Sequence, residues 1–344
     1  MFGAVNLDVM KNLAAALLYP TRVAEFTRPR QRGQLAILMY HGIAPEPLSP
    51  RCWHVVGAAS FRQQMEYLAR HFNVLPLEES LERLRSGTLP DRAATITFDD
   101  GTQDLATQAA PILRSLGLPG AVFLATDAMA SGKPLWPDRL WLAVARTKMS
   151  AVKLPAIGLG ELSLRGDAER GIAFSLVISR LKELPDEERI DRLNSILELL
   201  GADDDTDPGP FRMLSWAEAR ELAKTGDITL HPHSVTHPIL SRCTDEKLDR
   251  EITESCAALE RETGFAPTIF AYPNGRAHDF DDRAKQVLRR RDVRWALSTT
   301  KGFADQSSDP LALPRLSIGS NMSPQRFRLA VSGALPWRRA VAAT

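Results

Sequence analysis

Two short stretches of this 344-residue chain hold residues whose types and spacing could do chemistry. The first, Ala94 to Gly101, reads Ala-Thr-Ile-Thr-Phe-Asp-Asp-Gly. Its first five residues read as a short buried strand, and the pattern breaks at two adjacent carboxylates and a glycine. Neighbours at a strand end point in different directions, so one of Asp99 and Asp100 can hold a metal while the other stays free as a base. A plain Asp-Gly turn after a strand would spell the same letters. The second stretch, His231-Pro-His-Ser-Val-Thr-His237-Pro, supplies imidazoles. His233 and His237 are four apart, so on a helical turn they face one way and can share one ion. With Asp100 they would make a two-histidine, one-carboxylate site with positions left for water and substrate. Such a site suits catalytic zinc, and the same ligands accept Co2+, Mn2+ or Fe2+. His231 is set apart by Pro232. His41 closes the apolar run Leu35–Tyr40 and is placed like Asp99, although a lone histidine there is often a satisfied core residue.

The elements that would position these residues alternate. Leu35–Tyr40, Ala94–Phe98, Gly120–Thr126, Ile228–Leu230, Thr268–Ala271, Trp295–Ser298 and Leu313–Ile318 read as buried strands. Between them lie helical patterns: Ser60–Phe72 with Ser60 as N-cap, Glu78–Leu84, Gln108–Leu116, a capping box at Ser215-Trp-Ala-Glu218, Asp245–Thr263, and Asp281–Arg290. Strand and helix in turn specify an α/β parallel sheet or barrel, whose crossovers put every strand's C-terminal end on one face. The alternation lapses from about 131 to 215, where helices Ala168–Lys182 and Glu187–Leu200 and an acidic run Asp203–Asp207 suggest a helical insertion rather than a separate domain. Trp136, Trp141 and Trp216 could form a wall for stacking sugars, with buried packing the plainer role. A first helix, with Val5, Val9, Leu13, Ala16 and Leu17 at helical spacing, would pack on the main domain, joined by a basic linker from Arg28 to Gly33. The division expected is an N-terminal helical segment and linker (1–33), a catalytic domain (34–320) and a C-terminal tail (321–344) with the basic Trp337-Arg-Arg339.

Composition narrows the partners. Lys and Arg number 43 against 42 Asp and Glu, so no overall field attracts nucleic acid or an anionic membrane. A neutral molecule fits better. Cys52, Cys243 and Cys256 show no pairing pattern, so a disulfide framework is not expected. No run approaches the roughly 18 apolar residues of a membrane span. The N-terminus is a poor secretory signal, which favours a cytoplasmic location over export.

Thr97-Phe-Asp-Asp-Gly101, His233-Ser-Val-Thr-His237 and Phe270-Ala-Tyr-Pro-Asn-Gly275 together resemble the three leading motifs of the polysaccharide deacetylases of carbohydrate esterase family 4, the group with the NodB homology domain. The resemblance spans about Leu35 to Ile318 except the insertion. It implies a distorted, TIM-like (β/α) barrel and metal-dependent removal of N-acetyl groups from a GlcNAc-containing oligo- or polysaccharide. It implies Asp99 as general base and Asp100, His233 and His237 as ligands of one divalent ion. Two departures stand out: no histidine follows His278, where the family's usual acid would lie, and Ala271 stands where many members carry an arginine beside the base. Both are similar to the permuted branch that acts on poly-N-acetylglucosamine, where the acid lies in an early strand. Met39-Tyr-His41 fits that place, with His231 and His278 the next candidates, and Arg315 in Leu-Pro-Arg could replace the arginine.

The chemistry fits these residues without the family. A metal would polarise the acetyl carbonyl and acidify water, Asp99 would take the water's proton, and a backbone N–H near Tyr272 to Asn274 would hold the oxyanion. A small amide, such as a ureide or cyclic imide, is a second possible substrate. A carbohydrate-binding protein without catalysis is a third reading, supported only by the missing arginine.

Overall fold

The computed structural model describes residues 3–18, 32–202 and 207–334. Seven parallel strands form a nearly closed barrel: β1 (Leu35–Tyr40), β2 (Ala93–Phe98), β3 (Gly120–Leu124), β4 (Ile228–Pro232), β5 (Ile269–Ala271), β6 (Trp295–Lys301) and β7 (Leu313–Ser317). Neighbours in sequence are neighbours in space, β7 pairs back onto β1, and the one unpaired seam lies between β4 and β5. This is the architecture that the alternating pattern predicts, and each expected strand is present to within two or three residues.

All six residues of β1 and of β2 are buried, because both faces of a barrel strand are covered. Alternate residues serve the two faces. Ile37, Ala121, Phe123, Ala271, Leu297 and Leu313 share one cluster inside the barrel. Leu38, Tyr40, Ile96, Phe98, Val122 and Leu124 pack in another, under helices such as Ala58–His71. The helix Ala58–His71 starts two residues before Ser60, with Gly57 in the N-cap place and no side-chain cap. The capping box at Ser215 and Glu218 is formed, opening the helix Trp216–Ala223.

The insertion contains more than helices. After Thr126–Ser131 and Trp136–Arg146 an antiparallel hairpin, Ala151–Leu154 with Leu159–Ser163, precedes helices Asp167–Leu181 and Asp186–Leu199. Its apolar side chains form one core with Ala44, Cys52 and Val55 of the loop that follows β1. Trp136 and Trp141 are buried in that core, and the partly buried Trp216 packs under the barrel, so the three do not form a stacking wall.

The first helix, Gly3–Leu18, meets the domain through Ala15, Asp8 and Asn12, with Asp8 pairing to Arg326 and Asn12 donating to Asn321 O. Of the stripe expected to pack, Val9 and Leu13 face outward instead, 61% and 62% exposed. The helix it docks against, Pro324–Val331, buries Phe327, Leu329, Ala330 and Val331, so this part of the segment read as a tail is packed. Most of the linker reading, residues 203–206 of the acidic run and the basic tail at 337–339 lie outside the described residues. All three cysteines are free and buried. No helix among the described residues is long and apolar enough to cross a membrane.

Candidate metal centre and active site

Strand parity and register bring the chemistry together. β1 and β2 run in register from Leu35 beside Ala93 to Tyr40 beside Phe98, and Asp99 N–H donates to Tyr40 O at 2.9 Å. His41 and Asp99 therefore leave adjacent strands at the same level. Counting by twos from Ile37 and from Thr97, both also carry the inward parity. Arg315, fully buried on β7, lies one strand away on the other side of β1.

The Arg315 guanidinium clasps Asp99 through both oxygens, Nη1 to Oδ1 at 2.8 Å and Nη2 to Oδ2 at 2.7 Å. Its Nε donates to Ser298 O at 2.8 Å, which fixes the plane of the fork. Burial alone would raise the Asp99 carboxyl. The charge and hydrogen bonds of Arg315 outweigh burial and leave it below the ordinary aspartate range. Arg315 thus occupies the place beside the carboxylate that Ala271 cannot fill.

Asp100, His233 and His237 are buried, and each offers a ligand atom within 4.8 Å of the other two. Asp100 Oδ1 stands 3.6 Å from His233 Nε2 and 3.4 Å from His237 Nε2. His233 is aimed by its other nitrogen, which faces Ala271 O at 2.8 Å across the β4–β5 seam. The two histidines do not sit on a helical turn. They lie in the loop after β4, and the four-residue spacing is met by a tight bend with Ser234 (φ 67°) and His237 (φ 59°) in left-handed conformations. Asp100 (φ 78°) and Asn274 (φ 60°) are left-handed as well. Non-glycine residues are uncommon there, and each costs on the order of 1–3 kcal/mol. At Gly275 the backbone requirement is steric, since a Cβ would stand 2.8 Å from Tyr272 O and 3.0 Å from Thr299 N.

The bend is tied down by a residue that the sequence motifs do not reveal. Glu251, buried on the helix Asp245–Thr263, accepts the N–H groups of Val235 and Thr236, both at 2.8 Å, and the Thr236 hydroxyl. Trp136 of the insertion donates its indole N–H to His237 O at 3.0 Å. Neither link could be read from spacing, because each joins residues more than a dozen positions apart.

A divalent cation fits this cluster. Asp100 Oδ1 and His237 Nδ1 are buried with no hydrogen-bond partner. Burial and the charges of Asp138 and Asp99 push the Asp100 carboxyl well up, so its anionic form lacks the compensation that a cation would give. Burial holds His233 and His237 neutral, the state in which imidazole ligates.

The remaining candidates separate clearly. His41 lies against Trp53 and His54, ring centroids 5.5 and 5.6 Å away, and its Nδ1 is buried without a partner. His231 is a satisfied core residue, bonded to Thr229 Oγ1 at 2.8 Å and tilted against Phe123. His278 is exposed beside Asp279. Tyr272 does not serve the oxyanion as expected. Its N–H is spent on Leu297 O, its hydroxyl donates to Leu311 O, and its ring stacks on Phe280. Pro273 has no N–H, so Asn274 is the donor that this turn leaves, and its buried Nδ2 has no partner.

The family model for polysaccharide deacetylases matches residues 167–296, which include His233, His237 and the turn after β5 but not Asp99 or Asp100. The matched segment and the fold are similar to those of polysaccharide deacetylases. Among solved structures similar to this chain is the Streptococcus pyogenes deacetylase PplD in complex with acetate, 19% identical at a TM-score of 0.58, covering 87% of this chain and 98% of that one. The Bacillus cereus polysaccharide deacetylase BC0361 is 16% identical at a TM-score of 0.55, covering 87% of this chain and 69% of that one. IcaB from Ammonifex degensii is 15% identical at a TM-score of 0.53, covering 88% of this chain and 97% of that one. At these identities the likeness is one of fold. No curated protein matches the sequence.

Proposed function

We propose that this protein is a deacetylase that hydrolyses the N-acetyl group of a GlcNAc-containing oligo- or polysaccharide, with one divalent cation, zinc first, held by Asp100, His233 and His237. The observation that carries the reading is the ionised, arginine-clasped Asp99 standing next in sequence to the carboxylate of the His233–His237 cluster. Such a cation, when bound, supplies Lewis acidity toward a carbonyl oxygen and acidifies water. Asp99 accepts the proton of the attacking water. Arg315 keeps Asp99 ionised and holds both its oxygens in one plane, so the base needs no reorganisation. Asn274 donates toward the acetyl oxygen. His41, at the end of the adjacent strand, gives a proton to the nitrogen as the C–N bond breaks, and the products are acetate and a free amine.

The test is acetate release by protein stripped with a chelator and then reconstituted, across chitooligosaccharides, poly-N-acetylglucosamine fragments and allantoin-like amides. Faster release from the N-acetylated sugars, dependent on added cation, is the expected result. Faster turnover of the small amides would overturn the glycan reading.

A further inference from the structure

The insertion reaches the active site through a pair of residues that none of the motifs contains. His54, in the loop after β1, is buried, and its Nε2 lies 2.9 Å from Oδ1 of Asp138, itself buried on the insertion helix Trp136–Arg146. The other ring nitrogen faces Cys52 Sγ at 3.3 Å. Both nitrogens of His54 are therefore engaged, and the ring cannot reach substrate. What it touches is His41, 5.6 Å away between centroids and tilted by 59°, with Trp53 closing the triangle at 5.5 Å from each. The loop itself is pinned by Ser320, which donates its N–H to Trp53 O and its hydroxyl to Cys52 O, both at 2.8 Å.

We propose that the His54–Asp138 pair is a positioning pair for the proton-donating side of the site: it braces His41 and keeps a fixed positive charge beside it. This rests on the reading of His41 as the acid. The groups facing each partner support it. Around His54, burial works against the charged form, but Cys52 and Asp138 outweigh it and hold the imidazole well above its usual value, so it is a cation at neutral pH. Around His41, burial dominates and pulls the imidazole down to about 3. Asp99 opposes that shift, while His54, Arg315 and His233 add to it. Asp138 also bears on Asp104, which accepts from Ile43 N–H in the same loop, and on Asp100. A persistent cation beside His41 lowers its affinity for a proton, so that a proton it takes up is passed on readily. Neutralising that cation would make His41 hold its proton more tightly.

The experiment compares wild type, Asp138→Asn, His54→Gln and His41→Gln. It follows the histidine ring titrations by NMR on the full chain, with and without zinc, and the pH profile of acetate release from chitotetraose. In Asp138→Asn the His54 titration should fall toward the ordinary value and that of His41 should rise. The alkaline limb of kcat should move to higher pH, with turnover reduced by up to about 10²-fold and KM little changed. His54→Gln should move the limb the same way. Unshifted His41 titration and limb in both variants, or a wild-type His54 that titrates as a free imidazole, would overturn the proposal. The outcome for His41→Gln separates the two claims: full turnover there removes the acid reading itself, whereas lost turnover with unshifted Asp138→Asn and His54→Gln profiles removes only the pair.

Discussion

Asp99 and Arg315 form a buried, bidentate pair that joins β2 to β7 across β1, so each has consequences for stability as well as for chemistry. Removing one member of such a pair strands the other charge in the interior and costs roughly 3–5 kcal/mol. Arg315→Met should therefore lower the urea midpoint strongly at pH 7. Because Asp99 is depressed in the folded protein, its contribution is complete at neutral pH and is lost as the pH falls below the ordinary aspartate value of 3.8. The stability gap between wild type and variant should narrow in acid, and a gap independent of pH would show that the pair is not its source. The pairing was legible in Leu-Pro-Arg315 only through the empty place at Ala271, since spacing cannot show that residues 216 positions apart share two hydrogen bonds. The exposed aromatic was not legible at all. Trp136 and Trp141 draw the eye by their clustering, yet they are core, and it is Trp53, 47% exposed and edge-on to His41, that offers a face at the mouth of the site. Trp53→Ala should raise KM for a sugar oligomer roughly 3–10-fold with kcat nearly unchanged. An equal loss in kcat would instead assign Trp53 to the support of His41.

Among the elements, the strands were the most readable, because burial on both faces leaves continuous apolar runs that stop where polar site residues begin. The loop after β4 departs from the helical turn that its spacing suggests. Four-residue spacing invites a helix, and the actual bend depends on Ser234 Oγ accepting His237 N–H and on Glu251 gathering two more N–H groups from a helix that starts eight residues after His237. Glu251 looks like any acid on a helix, and only the fold shows that it is buried. It acts on the histidines as an outer support, and partners of that kind typically govern 10–100-fold of metal affinity. Glu251→Gln should weaken zinc retention by about that factor in competition with a chelator, while Glu254→Gln, on the same helix, should not. Equal retention in wild type and Glu251→Gln would mean that the bend holds its shape without the carboxylate.

At the scale of the whole molecule, the question is whether the insertion is a passenger or a wall of the site. Its core includes Ala44, Cys52 and Val55 from the loop that presents His54, and its helices reach the barrel at three more points. Trp136 donates to His237 O, Asp138 meets His54, and Asp186 pairs with Lys247 of the helix Asp245–Thr263. These links run to the catalytic face, so loosening the insertion should loosen the metal ligands. Leu193, buried on the helix Asp186–Leu199 and remote in sequence from every site residue, allows this to be tested without touching the chemistry. Leu193→Ala should cost about 2–5 kcal/mol by leaving a cavity in the insertion core. If insertion and barrel unfold as one unit, the variant should melt in a single transition, with loss of bound zinc at the same lowered temperature as loss of barrel structure. Saturating zinc should raise both midpoints together, since the ion binds only the folded cluster. Two transitions, with the later one and zinc release unmoved from wild type, would show instead that the barrel holds its site alone.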